Sequence, residues 1–348
     1  MVGTFKIITL SAAINEGKVN LFEDHYYDGG SIMVENARIK CWKHGGHGAE
    51  TFLQVVENSC NPGFVVLGQR LGTNLLYDYL IKFGFGSKTG IDLNGESKGI
   101  LFPLSKMGPV ETATTAFGQG ISVTPIQQVT GVSAAINGGT LYKPYIVKDI
   151  SEGETNSVVL LNKKQVVREN VISSESSKLV RMALESVVSN GTGRNAFIEN
   201  YLVGGKTGTA QKVKDGRYMV GNYIVSFIGF LPADNPQVVV YIAIDNAKGV
   251  TQYGGTIAAP IARQVLMDSA SALGIGKSSG GMEKEYNYND KKYVEVPNVV
   301  GMGVKDATKS LKSFKVEYSG NGNVVSYQSP NAGERILEGE TIKLLLTE

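Results

Sequence analysis

The segment Lys206-Thr207-Gly208-Thr209 limits the possible folds of this chain more than any other stretch, because a strand-rich region begins there. It follows the pair Gly204-Gly205 and precedes two runs rich in β-branched and aromatic residues, 223–231 and 238–244. Runs of this kind, separated by glycine and proline turns, are typical of sequential strands. We therefore predict an antiparallel meander of three strands that begins near Tyr201.

Helical patterns dominate the other parts of the first 274 residues. In the segment 174–189, the apolar residues Leu179, Met182, Ala183 and Val187 recur at helical spacing, which predicts an amphipathic helix. Segment 4–14 is apolar on most faces, which predicts a buried helix, and Gly17 is a plausible stop. The predicted helices are 4–14, 50–57, 61–71, 75–82, 124–136, 174–189 and 257–273. The fold class is therefore α+β, with helices packed on an antiparallel sheet.

Length and charge exclude several classes of protein. The chain has 348 residues, of which 42% are hydrophobic, so it can bury a large core in two or three domains. A net charge of +2 from 34 basic and 32 acidic residues gives no indication of a nucleic-acid partner. No apolar run reaches the roughly 18 residues of a membrane span, and we find neither a signal peptide nor a membrane anchor. Because the first helical pattern begins almost at Met1, we expect a segment that precedes it to be missing.

The composition changes after residue 274. Residues 275–292 are rich in glycine, serine, lysine and asparagine, which is typical of a linker. Residues 293–348 then alternate strand and helix patterns: strands at 294–296, 314–318, 324–327 and 341–346, and a helix at 304–312. We predict a first domain over 1–274, a linker over 275–292 and a small α+β domain over 293–348.

Three short motifs carry residues that suit acyl transfer. Lys6 lies on the apolar first helix, where burial would lower its pKa and make it a base. Ser59-Cys60-Asn61 lies between two predicted helices and can direct a hydroxyl and an amide into one cleft. At the strand, Lys206, Thr207 and Thr209 can bind a carboxylate, and Gly208 leaves room for a ligand backbone along the strand edge. The alternatives are an exposed Lys6, an Asn61 that only caps the following helix, and a basic hairpin strand.

Four stretches carry a resemblance to the transpeptidase domain of class B penicillin-binding proteins of the sporulation-specific type. They are 3–9, Gly-Thr-Phe-Lys-Ile-Ile-Thr; 57–64, Glu-Asn-Ser-Cys-Asn-Pro-Gly-Phe; 115–120, Thr-Ala-Phe-Gly-Gln-Gly; and 205–211 around Lys206. The tail resembles a PASTA domain through 296–302, Val-Pro-Asn-Val-Val-Gly-Met, and 328–330, Gln-Ser-Pro. The resemblance implies the penicillin-binding transpeptidase (β-lactamase-like) fold, followed by a small α+β PASTA domain.

The resemblance also implies a chemistry. In such enzymes, a serine attacks the D-Ala-D-Ala bond of a peptidoglycan stem peptide, and β-lactams trap the same serine; no cofactor is required. Lys6 would be the base, Ser59 a proton shuttle and Asn61 a contact to the substrate amide. Lys206, Thr207 and Thr209 would hold the substrate carboxylate, and the amide of Thr209 would form the oxyanion hole with that of the nucleophile. Expected partners are stem peptides, β-lactams and division or sporulation proteins at the extracytoplasmic face of the cell membrane.

One residue departs from the family pattern. The serine of Ser-x-x-Lys would stand three residues before Lys6, and that position is Gly3. Glycine has no nucleophile, so we expect this chain to form no stable acyl-enzyme with penicillin. Two classes of function remain: a transpeptidase whose missing residues lie upstream, or a non-catalytic module that binds muropeptide or a protein partner. A β-lactamase is a weaker third possibility, since no deacylating carboxylate stands out.

A compact group of histidine and cysteine residues suggests a metal. Cys41, His44 and His47 follow a Cys-x2-His-x2-His pattern in a glycine-rich loop, and a thiolate with two imidazoles suits zinc. The resemblance favours Asp28 as the fourth ligand of a structural Zn²⁺. Asp24, His25 and Cys60 are alternatives for that ligand. A loop with incidental histidines, or a Cys41–Cys60 disulfide, would explain the same residues without metal.

Overall fold

The protein was analysed as a computed structural model, which describes residues 2–153, 157–214, 217–278, 280–286 and 290–348. Contacts divide the chain into two units, Met1–Lys284 and Glu285–Glu348. The linker predicted at 275–292 spans their boundary, and residues 279 and 287–289 of it lie outside the described part. Among the helices that the structure describes, none combines the length and the apolar character needed to cross a membrane.

Helices account for most of the first unit. They are α1 (Lys6–Asn15), α2 (Phe52–Glu57), α3 (Asn61–Leu71), α4 (Thr73–Lys82), α5 (Pro109–Ala116), α6 (Pro125–Ile136), α7 (Ser174–Ser189) and α8 (Gly254–Ala272). The prediction for 174–189 is confirmed to the residue, and the helix predicted to follow an Asn61 cap begins one residue earlier, at Asn61 itself. Helix α5 was not predicted, because the glycine-rich sequence around it reads as turns.

The predicted meander is confirmed as an antiparallel sheet of β9 (Gly204–Lys214), β10 (Arg217–Leu231) and β11 (Val238–Asp245), in the order β11-β10-β9. Successive residues of β10 face opposite sides, as a pleated strand requires. Phe227 packs in a cluster with the alanines of α8, whereas Ile228 packs in the main helical core with residues of α1, α3 and α7. The sheet therefore lies between α8 and the other helices, and one end of β9 meets the start of α1.

Helix α1 is the central helix of the first unit. Its residues from Lys6 to Ile14 are all buried, as the apolar pattern predicts. Thr9 donates a hydrogen bond from its hydroxyl to the carbonyl of Ala116, which ties α1 to the end of α5. Burial on every side places the Lys6 side chain inside the protein.

The segment between α1 and α2 forms two small antiparallel ribbons of two strands each. Strand β1 (His25–Asp28) pairs with β4 (Gly48–Thr51), and β2 (Ser31–Val34) pairs with β3 (Ala37–Lys40). Residues 50 and 51, which were predicted to begin a helix over 50–57, belong instead to β4, and α2 begins at Phe52. The cause is a capping box at Thr51, whose hydroxyl accepts from the amide of Gln54 while the Gln54 side chain accepts from Thr51.

Further strands flank the first unit and build the second. The segment before α7 contributes β5 (Leu141–Lys143), β6 (Asp149–Ser151), β7 (Val158–Leu161) and β8 (Gln165–Arg168). In the second unit, α9 (Val304–Ser310) accompanies β12 (Tyr293–Glu295), β13 (Lys315–Gly320), β14 (Val324–Ser329), β15 (Arg335–Leu337) and β16 (Thr341–Thr347). Strand β16 lies between β13, to which it is parallel, and β14, to which it is antiparallel. The predicted strands and helix of this unit are confirmed, and β15 was missed.

Candidate active site and adjacent metal group

Lys6 contacts both functional residues of the Ser-x-Asn motif. Its Nζ donates to the carbonyl of Ser59 at 2.8 Å, to Ser59 Oγ at 3.2 Å and to Asn61 Oδ1 at 2.6 Å. The side chain is 1% exposed, so the alternative of a solvated lysine is wrong. Burial lowers the pKa of Lys6 to about 7, although the nearby thiols of Cys60 and Cys41 act in the opposite direction. An amine with such a pKa can accept or release a proton at neutral pH.

The backbone of Ser59 is held in an unusual conformation. Its φ of +54° lies in the left-handed region, which a non-glycine residue rarely adopts. The amide of Ser59 donates to the carbonyl of Val56, and the amide of Cys60 donates to that of Val55. This is the Schellman pattern that ends a helix, in which glycine normally occupies the position of Ser59. A serine here gains a hydroxyl at the cost of backbone strain.

Asn61 does not cap α3, contrary to one sequence-based interpretation. The N-cap is Cys60, whose Sγ accepts from the amide of Gly63 at 3.4 Å, and α3 begins at Asn61 itself. The Asn61 side chain instead binds Lys6 through Oδ1. A cap residue directs its side chain back to its own helix, so one side chain cannot also reach a lysine on another element.

Lys206 approaches the same hydroxyl from the sheet. Its Nζ donates to Ser59 Oγ at 2.7 Å and to the carbonyl of Thr207 at 3.2 Å. Burial, and secondarily the charge of Lys6, lower the pKa of Lys206 well below its usual value. Two buried amines that share one oxygen acceptor cannot both be charged without a large free-energy cost. Lys6, Ser59, Asn61 and Lys206 therefore form one hydrogen-bonded cluster, which we call the lysine centre.

The remaining residues of the strand motif are already engaged within the chain. The Thr207 hydroxyl is 2.9 Å from that of Thr192, and Thr209 Oγ1 accepts from the amide of Gly254 at 3.3 Å. The amide of Thr209 donates to the carbonyl of Val2 at 3.1 Å. A Cβ at Gly208 would lie 2.7 Å from that same carbonyl oxygen, so glycine is needed where Val2 lies against β9.

Gly3 lies in tight contact with β9. Its φ is +99°, and a Cβ there would lie 2.6 Å from the carbonyl oxygen of Thr207 and 2.7 Å from Gly208 Cα. The amide of Gly3 donates to the carbonyl of Phe117 at 3.3 Å. Both amides that would form the oxyanion hole, those of Gly3 and Thr209, are thus bonded to carbonyls of the chain. Position 3 thus has no side chain, and these two amides have partners within the chain.

A second polar group lies on the other side of the Ser-x-Asn motif. Asp28, Cys41, His47 and Cys60 each direct one ligand atom to a common point, with all four atoms within 4.8 Å of one another. His47 Nδ1 lies 3.4 Å from Cys41 Sγ and 2.9 Å from Asp28 Oδ2. Both cysteines are free thiols, so the disulfide alternative is not what the structure shows. We call these four residues the metal group.

The metal group differs from the predicted ligand set at one position. His44 is exposed and lies outside the group, and Cys60 takes part in its place. The other two alternative ligands have other contacts: Asp24 pairs with Arg70 at 2.5 Å, and His25 Nδ1 lies 2.8 Å from the carbonyl of Glu23. Glycines at positions 45, 46 and 48 have positive φ, so the loop turns tightly between His44 and His47 and separates their directions.

Hydrogen bonds within the metal group favour anionic ligands. Burial raises the pKa of Asp28, but hydrogen bonds from Cys41, Gly30 and His47 outweigh burial and lower the pKa to about 2. The hydrogen bond between the two thiols lowers the pKa of Cys41 and raises the pKa of Cys60. A carboxylate and a thiol that loses its proton readily thus face the ring of His47, and deprotonated ligands are the ones that bind metal.

Three residues next to these two centres were missed by sequence reasoning. Trp42 Nε1 donates to the carbonyl of Asn58 at 2.8 Å, and Asn58 Nδ2 donates to Glu50 Oε1 at 2.7 Å. Trp42 and Glu50 are adjacent or close in sequence to predicted ligands, and Asn58 precedes Ser59. Their proximity in sequence to predicted site residues was a signal that they could lie near the site, but no residue pattern indicates that the three side chains meet.

Comparisons with known proteins identify the family of both parts of the chain. Residues 3–267 match the penicillin binding protein transpeptidase domain, and residues 294–348 match the PASTA domain. The chain is 59% identical to Stage V sporulation protein D of Bacillus subtilis over 347 residues, which is 99% of this chain and 53% of that protein. The chain therefore spans about half the length of the curated relatives it matches.

Solved structures show the same fold. A crystal structure of penicillin binding protein 3 from Mycobacterium tuberculosis, complexed with aztreonam, has a TM-score of 0.73 and 29% identity, and the match covers 82% of this chain and 64% of that one. The transpeptidase domain of Burkholderia pseudomallei penicillin-binding protein 3 has a TM-score of 0.70 and 26% identity, with 80% of each chain covered. The chain therefore belongs to the class B penicillin-binding proteins, with a transpeptidase domain that is followed by a PASTA domain.

Proposed function

We propose that the first unit binds the D-Ala-D-Ala end of peptidoglycan stem peptides, and β-lactams, without forming an acyl-enzyme. The observation that carries this proposal is the lysine centre beside Gly3: three motifs meet around the Ser59 hydroxyl, and the residue at the nucleophile position has no side chain. The full-length protein would act in peptidoglycan cross-linking during sporulation, at the extracytoplasmic face of the membrane.

Each residue has a defined part in this binding. Lys206 can carry positive charge once a carboxylate lies beside it, because a nearby anion favours the protonated amine, and the hydroxyls of Thr207 and Thr209 can donate to the carboxylate of a D-Ala terminus. Asn61 offers its amide to the peptide backbone. Lys6 and Ser59 can exchange a proton, which in a complete site would activate and regenerate the nucleophile. Here the exchange has no acceptor at position 3, and Val2 would have to leave β9 before a ligand backbone could take its place.

Labelling and calorimetry together test this proposal. We expect fluorescent penicillin to leave no adduct that survives denaturation, and a peptide ending in D-Ala-D-Ala to bind saturably. Lys206→Met should weaken that binding at least about tenfold, since a hydrogen-bonded charge typically contributes more than a neutral group. A covalent adduct would refute the non-acylating site, and absence of saturable binding would refute the binding site.

A second candidate places ligand binding in the PASTA domain. Gly3 and the PASTA match over 294–348 favour a non-catalytic module that binds muropeptide or a division or sporulation partner. The Lys206→Met variant separates the two candidates. Peptide binding that survives this substitution unchanged would assign the ligand to the second unit.

We also propose that the metal group holds a structural Zn²⁺. Zinc bonds of about 2.3 Å to sulfur and about 2.0 Å to nitrogen imply a separation near 3.5 Å between tetrahedral ligands. The Cys41–His47 distance of 3.4 Å fits that value. His47 Nε2 is buried and has no hydrogen-bond partner among the residues described, so the polar contacts of the ring are all made by Nδ1.

Zinc in this group would fix the loop beside Ser59 and needs no role in acyl transfer. The test is the metal content of reduced protein after dialysis against a weak chelator. We expect close to one zinc per chain, and a metal-free protein that takes up none on addition of zinc would contradict the site.

A further inference from the structure

Asn58, the residue before Ser59, is held from two directions. The indole Nε1 of Trp42 donates to its backbone carbonyl at 2.8 Å, and its own Nδ2 donates to Glu50 Oε1 at 2.7 Å. Its amide donates to the carbonyl of Gln54, which closes the last turn of α2. Both the backbone and the side chain of Asn58 are therefore fixed immediately before the strained residue.

Ser59 requires such support. A non-glycine residue in the left-handed region is disfavoured, and it persists only where its surroundings determine the conformation. A change of the backbone angle φ at Ser59 would move two acceptors of Lys6, the carbonyl and the Oγ of Ser59. It would also withdraw the hydroxyl from Lys206.

The two residues that hold Asn58 also contact the metal group. The Trp42 ring lies edge-on to the His47 ring at 5.4 Å between centroids, and Trp42 follows the ligand Cys41 directly. Glu50 is 3% exposed, and its Oε2 lies 3.9 Å from His47 Nδ1 with no hydrogen-bond partner in the described part of the chain. A buried carboxylate oxygen without a partner is costly and calls for a reason.

Trp42 additionally reaches the sheet side of the cleft. Its ring is 6.3 Å from that of Tyr253, the residue that precedes α8. The next residue, Gly254, donates its amide to Thr209 Oγ1. One half-exposed indole thus contacts His47 of the metal group, the carbonyl of Asn58 and the ring of Tyr253, whose neighbour Gly254 bonds to the Lys206 strand.

We propose that Trp42 and Glu50 are positioning residues that fix the Ser59 hydroxyl between Lys6 and Lys206 by holding Asn58. They act through Asn58 and do not touch a peptide bound in the cleft. They also make the position of the hydroxyl depend on the loop that carries the metal group. The consequence for ligand affinity rests on the proposed function of the cleft; the consequence for the backbone does not.

The substitution Trp42→Phe tests the first link, because phenylalanine keeps a ring near His47 and Tyr253 but has no N–H donor. We expect hydrogen exchange of the Ser59 and Cys60 amides, measured by NMR, to become about three- to tenfold faster, as for the loss of one hydrogen bond. Amides of β10 should keep their rates. Lys43→Ala, a change of the exposed neighbour, is the control and should alter neither set.

Asn58→Ala provides a second variant that removes the bond to Glu50 and leaves the carbonyl for Trp42. It should accelerate exchange of the same two amides by a similar factor. Unchanged exchange at Ser59 and Cys60 in both variants would overturn the proposal. So would an equal acceleration of all amides of the first unit, because that result means a purely structural role.

The second link is tested by affinity. In Trp42→Phe, the affinity for a D-Ala-D-Ala peptide should fall about three- to tenfold while the zinc content of the protein stays at the wild-type value. Faster exchange with unchanged affinity would overturn the connection to the cleft. If the wild-type protein binds no peptide, the proposed function fails, and the exchange experiment still decides whether Trp42 and Glu50 position Ser59.

Discussion

The lysine centre and the metal group differ in charge, yet both take residues from one tripeptide, Ser59-Cys60-Asn61. Ser59 and Asn61 face two buried amines, whereas Cys60 between them faces a carboxylate, an imidazole and a second thiol. Alternate residues of one turn therefore serve two centres. The middle position of the Ser-x-Asn motif, which the motif itself leaves undefined, connects the two.

The two centres also interact through their charges. Burial lowers the pKa of Lys6, and the thiols of Cys60 and Cys41 partly oppose that shift. A lysine that must titrate near neutral pH thus lies between a desolvating core and an acidic group. A change in either centre should therefore be measurable in the other, and the following predictions probe each centre and its surroundings, beginning with the largest expected effect.

Cys60→Ser should separate the centres most completely. Loss of one of four ligands should lower zinc affinity by more than about 100-fold, since even changes outside the ligand sphere cost about 10- to 100-fold. The measurement is a competition titration with a chromogenic chelator. His44→Ala is the matched control and should bind zinc as the wild type does, because His44 is exposed and outside the group. Equal loss in both variants would return His44 to the ligand set.

The pH dependence of stability tests the lysine centre. The pKa of Lys6 is about 7 in the folded protein and about 10.4 in an unfolded chain, so the unfolded state binds more protons between these values. The free energy of unfolding should therefore rise as pH increases from about 7 to about 10. Lys206 acts in the same direction. Urea unfolding followed by the fluorescence of Trp42, the one tryptophan of the chain, reports on the first unit.

Lys6→Met provides the control for that titration. The variant should lose the share of the pH dependence that Lys6 contributes and keep the part of the Lys206 share that comes from burial. An identical pH dependence in the variant and the wild type would show that Lys6 titrates normally in the folded protein.

Gly3→Ala tests the contact between the start of the chain and β9. A Cβ 2.6 Å from the Thr207 carbonyl at a φ of +99° should destabilise the first unit by about 2–3 kcal/mol. Gly17→Ala is the matched control, since Gly17 also has positive φ but has nothing within 4 Å of the place that a Cβ would take. It should cost about 1 kcal/mol. Equal losses of unfolding free energy would show that Gly3 does not lie against the strand.

The smallest expected effect distinguishes the contribution of the Ser59 hydroxyl to stability from that of the Ser59 backbone conformation. Ser59→Ala and Ser59→Gly both remove the acceptor of Lys6 and Lys206, but only glycine adopts φ +54° without strain. We expect the glycine variant to be about 1 kcal/mol more stable than the alanine variant in urea unfolding. The reverse order would mean that Ser59 is not held in the left-handed conformation.

Much of the fold could be predicted because it rests on local patterns. The apolar period of 174–189, the Asn61-Pro62 start of α3 and the β-branched runs of β10 and β11 each have one favoured structure. Short elements in glycine-rich sequence, such as α5 and the ribbons of β1 to β4, were missed. Their stability comes from packing and strand pairing with distant residues rather than from local preference.

Local sequence was sufficient to establish the long helices and strands, the motifs that are present and the lack of a nucleophile at position 3. Tertiary contacts were needed to show that Cys60 rather than His44 joins the metal group, and that Asn61 binds Lys6 rather than capping α3. They also place the carbonyl of Val2 on the amide of Thr209. These contacts join residues from 13 to more than 200 positions apart, and the direction of a side chain at a turn depends on backbone angles that spacing along the chain does not fix.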